Sequence, residues 1–203
     1  MQRRLALLVL GIALAAPSVA FAQTPTRAEL ARVDRILRNT PLIDGHNDLP
    51  WEIKSAHDND LASVDLNGDT RTATPPLHTD IPRLRQGRLG AQFWSVYVPS
   101  NANEAIAIQQ TVEQIDVMKR LITRYPADMG YAETSAELEA QMKAGKVAGM
   151  LGIEGGHSIG SSLAVLREMH GMGVRYMTLT HSKNVPWGDS ATDEPQHGGL
   201  TAF

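Results

Sequence analysis

The chain has 203 residues, with 19 Lys and Arg against 22 Asp and Glu, and no cysteine. That balance lacks the basic surplus of nucleic-acid-binding domains. The absence of cysteine excludes a disulfide framework and thiolate ligands, so any metal must be held by His, Asp and Glu.

Residues 1–22 read as a secretory signal peptide. MQRR is a basic start, LALLVLGIALAA an apolar core, and Ala20-Phe21-Ala22 a small-x-small cleavage signal, with the cut expected after Ala22. The 12-residue core falls short of the ~20 residues a spanning helix needs, and no Cys follows it to carry a lipid. The reading is therefore an exported protein, periplasmic or secreted, whose mature domain is 23–203. That domain carries 17 basic residues against 22 acidic ones, and its size suffices for one domain with a sizeable core.

Thr26 and Glu29 have capping-box spacing, and Leu30, Val33, Ile36 and Leu37 recur at helical period until Asn39-Thr40-Pro41 ends the element. Pro41–His46 is a first strand, read as buried from its apolar Leu42 and Ile43. Residues 52–80 are polar and turn-rich, with Asn67-Gly68-Asp69 and Pro75-Pro76, and read as one long loop. Ala91–Val98 is a second strand, rich in aromatic and β-branched residues. Asn101 and Glu104 repeat the capping-box spacing ahead of a long amphipathic helix ending near Tyr125-Pro126. Thr134 and Glu137 open a third helix that Gly145 can stop. Val147–Glu154 is a third strand, Ser162–His170 a helix closed by Gly171, and Val174–Thr180 a fourth strand. Alternating strands and helices predict a parallel sheet with crossover helices.

Three of these strands end on a residue able to bind a ligand: His46 and Asp48 on the first, Glu154 on the third, His181 on the fourth. In parallel α/β folds, and in (β/α)₈ barrels above all, catalytic groups occupy the C-terminal strand ends. His46 and Asp48, two apart, project to one side of a strand and can grip one ion; an imidazole and a carboxylate are suitable zinc ligands. The competing reading is that Asp44, Asn47 and Asp48 are turn formers and His46 is incidental. Glu154 follows a buried-looking apolar segment and precedes Gly155-Gly156, which permit close approach of a ligand or another strand. Its carboxylate can span two metal ions about 3.5–4 Å apart, or can form a salt bridge to Lys or Arg. His181 can donate to a developing oxyanion. His157, His170 and His197 lack comparable placement and are read as background.

Ile43-Asp44-Gly45-His46-Asn47-Asp48, Thr79-Asp80-Ile81-Pro82-Arg83-Leu84, Gln92-Phe93-Trp94-Ser95-Val96-Tyr97, Gly152-Ile153-Glu154-Gly155-Gly156 and Leu179-Thr180-His181-Ser182, with Asn184, Pro186 and Trp187, together resemble the membrane dipeptidase (renal dipeptidase) family of zinc peptidases. The resemblance covers about residues 30–203. It implies a TIM-type (β/α)₈ barrel, represented here by roughly its first half, about four βα units. It also implies a binuclear Zn²⁺ centre that cleaves dipeptides through a metal-bridging hydroxide. By motif, His46 and Asp48 would bind the first zinc, Glu154 would bridge both, and His181 would contact the substrate and stabilise the tetrahedral intermediate. The complete protein would be a homodimer.

In the family a second half-barrel supplies two histidines for the second zinc, an arginine for the substrate carboxylate and an aspartate for proton transfer, none with a matching position here. The chain is therefore expected to be an N-terminal portion with little or no turnover alone. Two alternatives stand beside this reading. One is another amidohydrolase-type metal-dependent hydrolase, although such enzymes commonly open with HxH rather than the His46–Asp48 pair. The other is a secreted, non-catalytic binding module on the same scaffold.

Overall fold

A computed structural model describes residues 24–203; the expected signal peptide lies outside the described residues. Thr26 and Glu29 close the expected capping box, with the Thr26 amide donating to Glu29 Oε2 and the Glu29 amide to Thr26 Oγ1, and start α1 (Arg27–Asn39). The apolar stripe of α1 is only partly covered: Leu37 is half-buried, and Leu30, Val33 and Ile36 are about half exposed. The chain then enters β1 (Leu42–Asn47). Among the described residues this strand pairs only with β2 (Leu89–Tyr97) and forms an edge of the sheet. Leu42 and Ile43 are exposed as a result, which corrects the expectation of a buried strand.

Residues 52–80 are not one loop. α2 (Leu49–His57) runs into them, because Pro50 sits in the first helical turn, where its missing N–H costs nothing. The helix ends where Asp58 and Asn59 take left-handed backbone conformations. Two 3₁₀ turns follow, at Leu61–Ser63 and Thr70–Thr72, and Leu61, Val64, Leu66 and Leu77 are buried in the main core. Asp80 caps α3 (Ile81–Gln86) and holds the segment together. Its side chain accepts from the Arg83 amide (2.8 Å), the Arg83 Nε (2.7 Å) and the Thr70 amide (3.1 Å) while itself 1% exposed.

α4 (Glu104–Arg124) starts two residues later than Asn101 predicts, because Asn103 is the residue that accepts from the Ala105 amide. β3 (Met129–Tyr131) has no counterpart in the sequence reading: three residues without a β-branched side chain carry no legible strand pattern. α5 (Ser135–Lys143) opens on the expected Thr134–Glu137 capping box, and Gly145 supplies a left-handed turn after it. β4 (Val147–Glu154) matches its expected bounds. α6 (Leu163–Gly171) includes Gly171, and the left-handed residue after it is Gly173. β5 (Val174–Met177) stops three residues short of the expected Thr180.

The sheet is parallel, with β4 at its centre. One edge of β4 pairs with β2. The other pairs first with β3, beside Val147–Gly149, and then with β5, beside Leu151–Ile153. Alternation along the strands sends Trp94, Val96, Leu151 and Ile153 into the helix-covered core. The same alternation puts Ser95, Tyr97, Gly152 and Glu154 on the other face, at the C-terminal end.

Burial pushes the Asp80 carboxyl upward, but the Arg83 amide and guanidinium and the Thr70 amide outweigh it and hold it below the usual carboxylate range. A depressed folded-state value contributes stability above about pH 4, the unfolded value, that is lost as pH falls through the folded one. Asp80→Ala leaves Arg83 unpaired and is expected to cost about 3 kcal/mol in urea unfolding at pH 7. That difference should shrink on acidification below about pH 4.

Candidate metal centre

The stretch from Asp44 to Asp48 divides turn-forming from ligand-forming work among similar side chains. Asp44 Oδ1 accepts from the His46 amide (3.2 Å), and Asn47 Oδ1 accepts from the Leu49 amide (3.0 Å). Asn47 Nδ2 also donates to Thr79 Oγ1 (2.9 Å) and Gln92 Oε1 (3.3 Å), tying the strand end to the segment before α3. The turn-former reading therefore describes Asp44 and Asn47. It does not describe Asp48, the residue before α2, whose side chain makes no capping bond.

Asp48 instead faces the imidazole: His46 Nε2 lies 2.9 Å from Asp48 Oδ1. This convergence does not come from strand alternation, because β1 ends at Asn47 and Asp48 already lies in the turn. An irregularity in the β1–β2 register between Asp44 and Asn47 inserts an extra residue into β1. Bulges of this kind re-aim side chains beside functional sites. Here Asn47 falls on the Trp94 side of the sheet and His46 on the side of Glu154.

Glu154 closes the group. Its Oε2 is 3.3 Å from His46 Nε2 and its Oε1 is 3.2 Å from His181 Nδ1, so the two oxygens face two different histidines. Ser95 Oγ, on the neighbouring strand, donates to Oε2 at 3.0 Å. Among the described residues neither Asp48 nor Glu154 pairs with a lysine or arginine, so the salt bridge weighed for Glu154 does not form. One ligand atom from each of His46, Asp48 and Glu154 lies within 4.8 Å of the others. Two carboxylates and an imidazole converging without a protein cation form a donor set that suits a divalent metal.

His181 lies beyond the end of β5, on the segment that follows it. The Thr178 amide still donates to the Ile153 carbonyl and so continues the pairing past β5. Gly155 (φ 104°) and Gly156 explain how this segment comes so near. A Cβ on Gly155 would lie 2.3 Å from the His157 ring, and one on Gly156 would lie 2.3 Å from the Leu179 carbonyl oxygen. The close approach anticipated at these glycines is thus made by the His181-bearing segment and its supports.

Several supporting residues carried no sequence signal of their own. Tyr176 donates to the Gly45 carbonyl (3.0 Å), and its hydroxyl is 3.4 Å from His46 Nδ1, where it can accept an N–H and leave Nε2 as the donor atom. Burial, then the charges of Glu154, Asp48 and Asp44, push its phenol pKa up, so it stays protonated. Gln114, fully buried on α4, accepts from the Tyr97 amide (3.1 Å) and donates to the Tyr97 carbonyl, capping the end of β2. Tyr97 packs edge-on against both Trp51 (5.1 Å) and His181 (5.2 Å). His157, read as background, has its Nε2 2.9 Å from the Val98 carbonyl oxygen, and burial lowers its pKa, so it is a neutral structural prop. His170 and His197 are exposed, in keeping with their background reading.

The parallel α/β sheet thus carries a His/Asp/Glu group at its strand ends. The sequence profile described as Membrane dipeptidase (Peptidase family M19) matches residues 30–203, and the chain belongs to that family. It is 41% identical over 186 residues to Dipeptidase ataJ of Aspergillus terreus (strain NIH 2624 / FGSC A1156), covering 85% of this chain and 44% of that protein.

Two solved structures share the fold. The probable dipeptidase PvdM from Pseudomonas aeruginosa superposes with a TM-score of 0.72 at 16% identity, covering 85% of this chain and 44% of that one. A Rhodobacter sphaeroides metallo peptidase, liganded with a phosphinate mimic of the dipeptide L-Ala-D-Ala, superposes with a TM-score of 0.62 at 20% identity, covering 73% and 48%. The fold is thus part of a TIM-type barrel, with five strands among the described residues where about four were expected. The chain spans about half the length of the relatives it matches.

Gly152 sits directly under Tyr176, where a Cβ would lie 2.1 Å from Tyr176 Cζ. Gly152→Ala is expected to cost about 2 kcal/mol by overpacking. In a double-mutant cycle, Tyr176→Ala should relieve part of that cost, read as a non-additive urea midpoint.

Proposed function

We propose that the protein is a zinc-dependent dipeptidase, with His46, Asp48 and Glu154 as metal ligands and His181 as the group that meets the substrate. The observation that carries this reading is the placement of Glu154, with one oxygen toward His46, the other toward His181 and, among the described residues, no lysine or arginine beside either. A carboxylate held in this way suits a bridge between two metal positions, and the profile match to the dipeptidase family supports the choice of substrate. Bound zinc supplies Lewis acidity, polarising the scissile carbonyl and making water available as a nucleophile near neutral pH.

The chain's own residues do the rest. Ser95 fixes the Glu154 rotamer through its hydroxyl, and Tyr176 fixes the tautomer of His46. His181 packs on Tyr97 with Nδ1 against Glu154, and the ring in its doubly protonated form would donate Nε2–H to the oxygen that becomes negative as the peptide carbonyl is attacked. Trp51 and Tyr97 wall the adjoining cavity and exclude water from one side of the substrate. The signal-peptide pattern of residues 1–22 supports export, with the reaction taking place outside the cytoplasm. Among the described residues no helix is long and apolar enough to cross a membrane.

In a protein carrying this chain at the full length of its relatives, zinc-loaded samples are expected to hydrolyse Ala-Ala. A chelator should stop the reaction and added zinc restore it. Glu154→Gln should lower kcat/KM by more than about 100-fold, and Ser95→Ala should weaken zinc retention about tenfold. Turnover that survives both chelation and Glu154→Gln would remove the metal from the mechanism.

A further inference from the structure

Beside the His/Asp/Glu group lies a cavity of about 200 Å³ lined by Asp48, Trp51, Glu52, Tyr97, Glu154 and His181. Three of its walls are carboxylates. Asp48 and Glu154 are committed to the metal centre in the proposed function. Glu52 is not: its residue is half-buried, and among the described residues no lysine or arginine pairs with it. The nearest lysine in sequence, Lys54, is engaged with Glu113 at 3.2 Å. Two further walls, Trp51 and Tyr97, meet edge to face at 5.1 Å. Aromatic faces attract cations through the ring quadrupole, and an uncommitted carboxylate lining the same cavity adds a charge-assisted acceptor. A plain structural role is also available to Glu52, because it lies in the first turn of α2, where negative charge favours the helix. That role would not make ligand binding depend on Glu52.

We infer that Glu52 is a specificity-determining residue that receives an alkylammonium group of the substrate, with Trp51 and Tyr97 forming the walls around it. The inference rests on the proposed function and deepens it: the preferred substrates present an ammonium group to Glu52. That ammonium has two possible sources, the free α-amino end of a dipeptide or the side chain of a lysine in it. Both present the same chemistry to Glu52, and neither survives acylation.

The test is a fluorescence titration of the zinc-loaded protein, with Trp51 as the reporting wall, comparing wild type with Glu52→Gln. The probes are n-butylammonium, alaninamide for the α-amino source, N-acetyl-lysinamide for the side-chain source, and uncharged N-acetylalaninamide. Loss of a charge-assisted hydrogen bond is worth about a tenfold or larger rise in Kd. That rise is expected for n-butylammonium and for at least one of the two charged amides, with N-acetylalaninamide unchanged. The amide that responds identifies the source. Equal affinities of wild type and Glu52→Gln for every charged probe would overturn the inference, and so would wild type binding none of them. No probe is a dipeptide, so the outcome is separable from the dipeptidase reading. In the protein at the full length of its relatives, Glu52-dependent ammonium binding without dipeptide cleavage would sink only the proposed function. Dipeptide cleavage with Glu52-independent probe binding would sink only this inference.

Discussion

The site depends on one arrangement: the Glu154 carboxylate, at the end of the central strand, held between His46 and His181 with the Ser95 hydroxyl donating to it. Placing a carboxylate there is costly unless something pairs with it. Among the described residues the fold offers it imidazoles and a hydroxyl, but no lysine or arginine. Much of the surrounding structure serves that placement. β4 is paired on both edges, which fixes its backbone, and Gly152 clears room for Tyr176, which in turn reaches His46.

The polar residues around this centre work in two tiers. Asp44, Asn47, Thr79 and Gln92 bind backbone and one another, and Asn47 anchors the end of β1 to the segment capped by Asp80. Because Asn47 takes the bond to the Leu49 amide, Asp48 remains available to His46. The network from Thr70 and Asp80 through Thr79 to Asn47 links the stability of a long surface segment to the geometry of the first candidate ligands. Gln114 does the same from the helix layer, by completing the hydrogen bonds of Tyr97 at the mouth of the cavity.

The strand-end residues His46, Asp48, Glu154 and His181 were legible in the sequence because each follows an apolar run, and the structure brings all four together. What could not be read was how they converge. The bulge in β1 and the turn position of Asp48 are register effects, and a two-residue spacing alone cannot distinguish them from plain alternation. Strand β3 was missed because its pairing with β4, rather than its composition, makes it a strand. Helix α2 was missed because residues 52–57 were read with the polar, turn-rich stretch that follows them as one loop. Ser95, Tyr176 and Gln114 act across elements far apart in sequence, so no local pattern marks them. The exposure of Leu42, Ile43 and the α1 stripe likewise depends on what packs against them and not on their own hydrophobicity.

The central claim is that His46, Asp48 and Glu154 bind zinc directly. X-ray absorption at the zinc edge, on protein loaded with one equivalent and freed of excess metal, tests it most directly. The account predicts a first shell of nitrogen and oxygen at about 2.0–2.2 Å with an imidazole signature, and loss of that signature in His46→Ala. Zinc that does not remain bound, or an imidazole shell unchanged in His46→Ala, would contradict it.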